Sequence, residues 1–110
     1  MNAEDILKRV TLDFKKNPRN KIFLNEDILV ASASEETGEE VTSEKLREVI
    51  TAYLSGEISD QQESIYDGAV YVCGAAARQC FGDDPYEDID YEIQWFEQPD
   101  GSFVAEVRAT

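Results

Sequence analysis

ESIYDGAVYVCGAAARQCFG, residues Glu63–Gly82, is the longest low-charge run in the chain, with only Glu63, Asp67 and Arg78 ionised. Ile65, Ala69, Val72, Ala76 and Cys80 recur at helical spacing, and Tyr66, Val70, Cys73 and Ala77 form a neighbouring row. A helix that is apolar around most of its girth is a buried one. Gly68 and Gly74 each cost about 1 kcal/mol of helix propensity relative to Ala. That loss makes sense only where another element packs against the bare backbone. Just upstream, Ser59-Asp60-Gln61-Gln62 fits a capping box, Ser followed three residues later by Gln. The spacing therefore predicts one helix from Ser59 to about Phe81, ended by Gly82 and central to the molecule.

Towards the N-terminus, residues 2–16 predict an amphipathic helix. Asn2 caps it, Glu4 and Asp5 sit in the first turn, Ile6, Leu7, Val10 and Phe14 form the stripe, and Lys15 and Lys16 end it before Asn17-Pro18. Residues 25–37 are ambiguous. Ile28-Leu29-Val30 suggests a strand, whereas Asn25 as cap, Glu26 and Asp27 in a first turn and Gly38 past the end suggest a helix. The start and stop signals agree with each other, so helix is the reading taken. Glu35–Glu40 is a charged turn, either a solvated connector or an acidic contact patch. A further helix over 43–55 has Thr42 or Ser43 as cap, a face of Leu46, Val49, Ile50, Tyr53 and Leu54, and Gly56 at its end. Arg47 on it has Glu44 and Glu48 as weak pairing partners.

Towards the C-terminus, Asp90–Glu97 alternates, with Tyr91, Ile93 and Trp95 on one face. Gln98-Pro99-Asp100-Gly101 is a turn signature, and Ser102–Ala109 alternates again, with Phe103, Ala105 and Val107 together. A lone hairpin is marginal in water, so its apolar face is expected on the helices, against the small residues of the central one. Ile22-Phe23-Leu24 is a candidate third strand. The expected fold is α+β: about four helices around a central small-residue helix, with a C-terminal β-hairpin or small antiparallel sheet, in a single domain over 1–110.

Chemistry-bearing sets are few. The chain has no histidine, which excludes Ser-His-Asp and Cys-His nucleophilic sites and the commonest zinc ligand. Cys73 and Cys80 lie about 10 Å apart along a helix axis, too far for a disulfide. They read as small buried hydrophobes of a reducing compartment. Asp83–Asp90 resembles a calcium loop superficially, but Asp88 and Gln94 stand where such a loop has its Gly and its Glu. No phosphate-binding glycine motif occurs. No enzyme activity, metal or cofactor is expected.

Charge is the dominant feature. The net charge is −14 over 110 residues, beyond the usual magnitude of about 2–8 for a small domain. Residues 1–22 carry six bases against three acids, and residues 23–110 carry four bases against twenty-one acids. Direct binding of nucleic acid or of an anionic membrane is disfavoured by that sign. No apolar run reaches the roughly 20 residues of a membrane span. MNAEDILKRV has no basic segment followed by an apolar core, so a cytoplasmic protein is expected.

The densest acidity with interleaved aromatics runs over residues 83–106. Asp83, Asp84, Glu87, Asp88, Asp90 and Glu92, with Tyr86 and Phe96 as aromatic anchors, are the expected partner-binding residues. Alternate strand residues project about 7 Å apart, an interval like that of phosphates on one nucleic-acid strand. The expectation is a small acidic inhibitor that mimics nucleic acid on the basic groove of a nuclease, restriction enzyme or CRISPR effector, supplied by a phage or mobile element. Two alternatives share the same composition. One is an immunity protein for a cognate nuclease toxin. The other is a non-enzymatic adaptor or assembly protein whose charge serves solubility.

Overall fold

The structure is a computed structural model that describes residues 2–82 and 89–110. Helix α1 (Ala3–Lys16) starts where the Asn2 side chain accepts a hydrogen bond from the Asp5 amide at 2.9 Å. A short strand, β1 (Lys21–Leu24), follows. Residues 25–37 resolve as helix α2 (Glu26–Thr37), ended by Gly38 in the left-handed region at φ 74°. Its buried residues, Ile28, Leu29, Ser32 and Ala33, recur at i, i+1, i+4 and i+5, a one-sided helical pattern that outweighs the β preference of Ile28-Leu29-Val30.

Helix α3 (Ser43–Ser55) is capped by the Thr42 hydroxyl, which accepts from the Lys45 amide, and closed by Gly56 at φ 77°. The long helix α4 (Asp60–Phe81) opens on the expected capping box: the Gln62 amide donates to Ser59 Oγ (3.2 Å) and the Ser59 amide to Gln62 Oε1 (3.0 Å). Both apolar rows read in the sequence turn inward, with Ala69, Val72, Cys73, Ala76 and Ala77 in the core.

Strands β2 (Tyr91–Glu97) and β3 (Phe103–Ala109) form the C-terminal hairpin, and β1 joins it. The sheet has the order β1-β3-β2 and is antiparallel throughout. Ile22, Val107 and Ile93 lie in one cross-strand row and Leu24, Ala105 and Trp95 in the next. These rows face α4 across the shared core. The fold is thus α+β, four helices on one side of a small antiparallel sheet.

The two glycines inside α4 mark its close contacts. A Cβ at Gly68 would lie 3.3 Å from the Ala33 Cα and 3.3 Å from the Glu36 Cβ, so α2 crosses α4 there nearly backbone to backbone. The buried Ser32 hydroxyl donates to the Gly68 carbonyl at 2.6 Å in the same crossing. At Gly74 the Tyr91 hydroxyl takes the free space, 3.0 Å from where a Cβ would stand. Arg47 turns away from the acids of its own helix. Its Nε and Nη2 donate to the Glu26 carboxylate at 2.7 and 3.1 Å, tying α3 to the start of α2.

Candidate partner-binding surface

Of the eight residues expected to bind a partner, Asp83, Asp84, Tyr86, Glu87 and Asp88 lie outside the described residues. Asp90, Glu92 and Phe96 are exposed. Glu92 and Phe96 belong to the sheet face turned away from the helices, and Phe96 is 38% exposed. That face is mixed in sign. Arg108 pairs in the ladder with Glu92 on one side and with Lys21 on the other. Arg108 Nη2 also donates to Glu106 Oε1 at 2.7 Å. Glu106 is only 4% exposed although it lies on the outer face, because Phe23 and Gln94 flank it across the central strand. Among the described residues, then, Lys21 and Arg108 interrupt the outer-face row that contains Glu92.

Among the described residues, further acids lie on the helical side. Glu35 and Glu36 occupy the last turn of α2, which carries no basic residue. Acids there oppose the helix dipole by about 0.3–1 kcal/mol each. Glu35 Oε1 is partly compensated: it accepts from the Ala3 amide at 3.0 Å, at the N-terminus of α1. Glu4, Glu35 and Glu36 line one cavity of about 170 Å³ together with Tyr71. Glu36 and Glu39 line the next, against the first turn of α4. On α4 itself, Asp60, Glu63 and Asp67 are exposed at i, i+3 and i+7, and Tyr71 follows at i+11, one stripe down the helix. Tyr71 is 59% exposed, whereas Tyr66 belongs to a buried row and Phe81 packs on Phe14. Two bases stand near this surface: Lys8, 3.6 Å from Glu4, and Lys45, which lines the cavity with Glu39.

Sequence reading treated Glu35–Glu40 as a connector or patch and passed over Tyr71. Two signals were available for them. Two adjacent acids sit where the helix dipole disfavours them, and a large aromatic falls off the apolar rows of a buried helix. Local rules broken without a packing reason are characteristic of functional surfaces.

Cys73, Cys80 and Asp100 serve the core and the hairpin turn. Burial pushes the Cys73 thiol up to about 12, which leaves it an unreactive core residue. Cys80 is raised by burial as well, opposed by a hydrogen bond from Thr11 and the charge of Lys15. Hydrogen bonds from the Ser102 hydroxyl (2.6 Å) and amide (2.9 Å) hold Asp100 below its ordinary value and close the hairpin turn. Among the described residues no group of three or more His, Cys, Asp or Glu side chains is placed to hold a metal, and no helix is long and apolar enough to cross a membrane. Comparison with protein-family models, with curated proteins and with solved structures returns no match.

Proposed function

We propose that this protein is a non-enzymatic inhibitor that occupies the basic, nucleic-acid-binding surface of a partner protein in the cytoplasm. The partner class is a nuclease or a nucleic-acid-directed defence effector. One observation carries the reading: Glu4, Glu35 and Glu36 line a cavity with the exposed Tyr71, Glu39 lies just past α2, and Asp60, Glu63 and Asp67 are exposed along the stripe of α4 that leads to Tyr71. The rise between successive acids of the α4 stripe is about 4.5–6 Å, a ladder of negative charge on a rigid support. Such a surface attracts a cationic groove at long range and accelerates encounter. Tyr71 supplies the aromatic anchor that strong interfaces contain. The Asp83–Asp90 stretch extends the same chemistry in sequence.

The test is competition. A basic nuclease captured by the immobilised protein should be released by duplex DNA, and its own DNA binding should be blocked stoichiometrically. The triple substitution Glu36→Lys, Glu63→Lys, Asp67→Lys should abolish both effects. The control Glu48→Lys, Glu57→Lys, Glu97→Lys, with the same change in total charge, should retain most of them. Equal losses in the two variants would reduce the interaction to bulk charge and sink the proposed face.

A further inference from the structure

Between the edge strand β2 and helices α3 and α4 lies an open cleft of about 560 Å³, within the range of ligand sites. Its walls are aromatic. Tyr53 and Tyr66 stack with ring centroids 3.9 Å apart and planes 13° apart. Trp95 inclines to Tyr66 at 59°, with centroids 6.0 Å apart. Trp95 Nε1 donates to Tyr66 Oη at 3.2 Å, which fixes the indole. Tyr91 completes the lining, its hydroxyl set against Gly74. The rings come from two helices and a strand, so their positions are set by regular structure rather than by a loop. Tyr53 remains 45% exposed, a large ring at the end of α3 that the core does not cover.

This lining is aromatic and uncharged. Among the described residues no Lys, Arg, Asp or Glu borders the cleft, and the one cation–π contact, Lys21 over Phe23, lies elsewhere. Aromatic faces are electron-rich and attract a cation, and the attraction grows as water is excluded. The protein's net charge of −14 adds a field that concentrates cations and repels anions. Among organic cations, a guanidinium matches best. It is planar, stacks on aromatic faces, and carries five N–H donors, for which the Tyr53 hydroxyl is an acceptor on the rim.

We infer that the cleft walled by Tyr53, Tyr66, Tyr91 and Trp95 is a receptor for an arginine side chain projecting from the partner's basic surface. This deepens the proposed function and rests on it for the identity of the occupant. The pocket itself is testable without a partner, because Trp95 is the only tryptophan and its emission reports occupancy.

The probe is N-acetyl-argininamide, titrated at constant ionic strength against its neutral isostere, N-acetyl-citrullinamide. The expected result is a saturable change in Trp95 emission with the arginine probe, in the millimolar range of dissociation constants. At least a fivefold weaker response is expected with the citrulline probe. Tyr53→Leu, with its helicity checked by circular dichroism, should weaken the arginine response by at least fivefold. A non-saturating response, equal responses to the two probes, or an unchanged response in Tyr53→Leu would overturn the assignment. If the probe binds as expected but no protein with a nucleic-acid-binding surface is bound, the pocket stands and the proposed function falls. If such a partner is bound with the same affinity by Tyr53→Leu and by Trp95→Phe, the proposed function stands and the arginine pocket falls.

Discussion

Gly68 shows how one residue's lack of a side chain sets an interface. With α2 lying 3.3 Å from the position a Cβ would take, the α2–α4 crossing depends on hydrogen at that site. Gly68→Ala gains about 1 kcal/mol of helix propensity and loses a similar amount to crowding, so its stability should stay within about 1 kcal/mol of the parent. Gly68→Val drives methyl groups into the Ala33 backbone and should cost about 2 kcal/mol, in the range of overpacked cores, read from urea denaturation. Because Glu36 also touches this position, the same substitution should displace the acidic face.

Cys73 gives a prediction with a definite sign. Its folded-state value is raised from 9.0 to about 12, so the folded protein holds the proton where the unfolded chain releases it. The contribution is undiminished below about pH 9 and falls as the pH climbs towards 12, by up to about 1.4 kcal/mol per pH unit. Cys73→Ala should flatten that part of the stability–pH profile. In the native protein at pH 8, Cys80 should react with iodoacetamide well before Cys73.

At the scale of elements, the capping box makes α4 start where it does. Ser59→Ala removes the acceptor for the Gln62 amide and should lower stability by about 1 kcal/mol, whereas Ser59→Gly should cost only a few tenths. Thermal denaturation monitored by circular dichroism distinguishes the two.

Caps of this kind are also why the helices were legible in the sequence: Asn2, Thr42, Ser59, Gly38 and Gly56 all mark boundaries by local chemistry. The hairpin was legible through its alternation and the Pro99-Asp100-Gly101 turn. Ile22-Phe23-Leu24, read as a candidate third strand, is β1 on the free edge of β3. What escaped reading depends on elements distant in sequence. The burial of Glu106 follows from the three-strand register, since alternation alone puts it on a solvated face. Tyr53, Tyr66 and Trp95 each read as core residues of their own element, and only the packing of three elements leaves their rings around an open cleft. Glu35–Glu40 reads as either a connector or an acidic contact patch, because the surface neighbours of Glu35 and Glu36, Glu4 and Tyr71, are supplied by α1 and α4.

For the whole molecule, the excess of negative charge works against folding. Arg9, Arg19 and Lys21 line a groove of about 260 Å³ between α1 and β1, with Asp13 the one acid on its walls. The other bases of residues 1–22, Lys8, Lys15 and Lys16, all lie on α1, whereas residues 23–110 are strongly anionic. Charge is therefore segregated along the chain, most of the bases lying on α1 and β1 and their connection. The net charge of −14 also repels itself. Raising NaCl from about 0.05 to about 0.5 M screens that repulsion, so the urea midpoint should rise with salt. A midpoint that falls would show that the few ion pairs, such as Arg47 with Glu26 at 2.7 Å, outweigh the repulsion.

Salt should act in the opposite sense on the partner complex, and this contrast is the most direct test of the acidic face. The measurement is the dissociation constant of the captured partner at about 0.1 and about 0.5 M NaCl, for the parent protein and for Glu36→Lys, Glu63→Lys, Asp67→Lys. The parent should lose affinity at least tenfold with added salt. The variant should bind weakly at both concentrations, with a flattened salt dependence. An affinity that survives high salt unchanged, or a variant that binds as the parent does, would contradict an electrostatic docking face built from these helices.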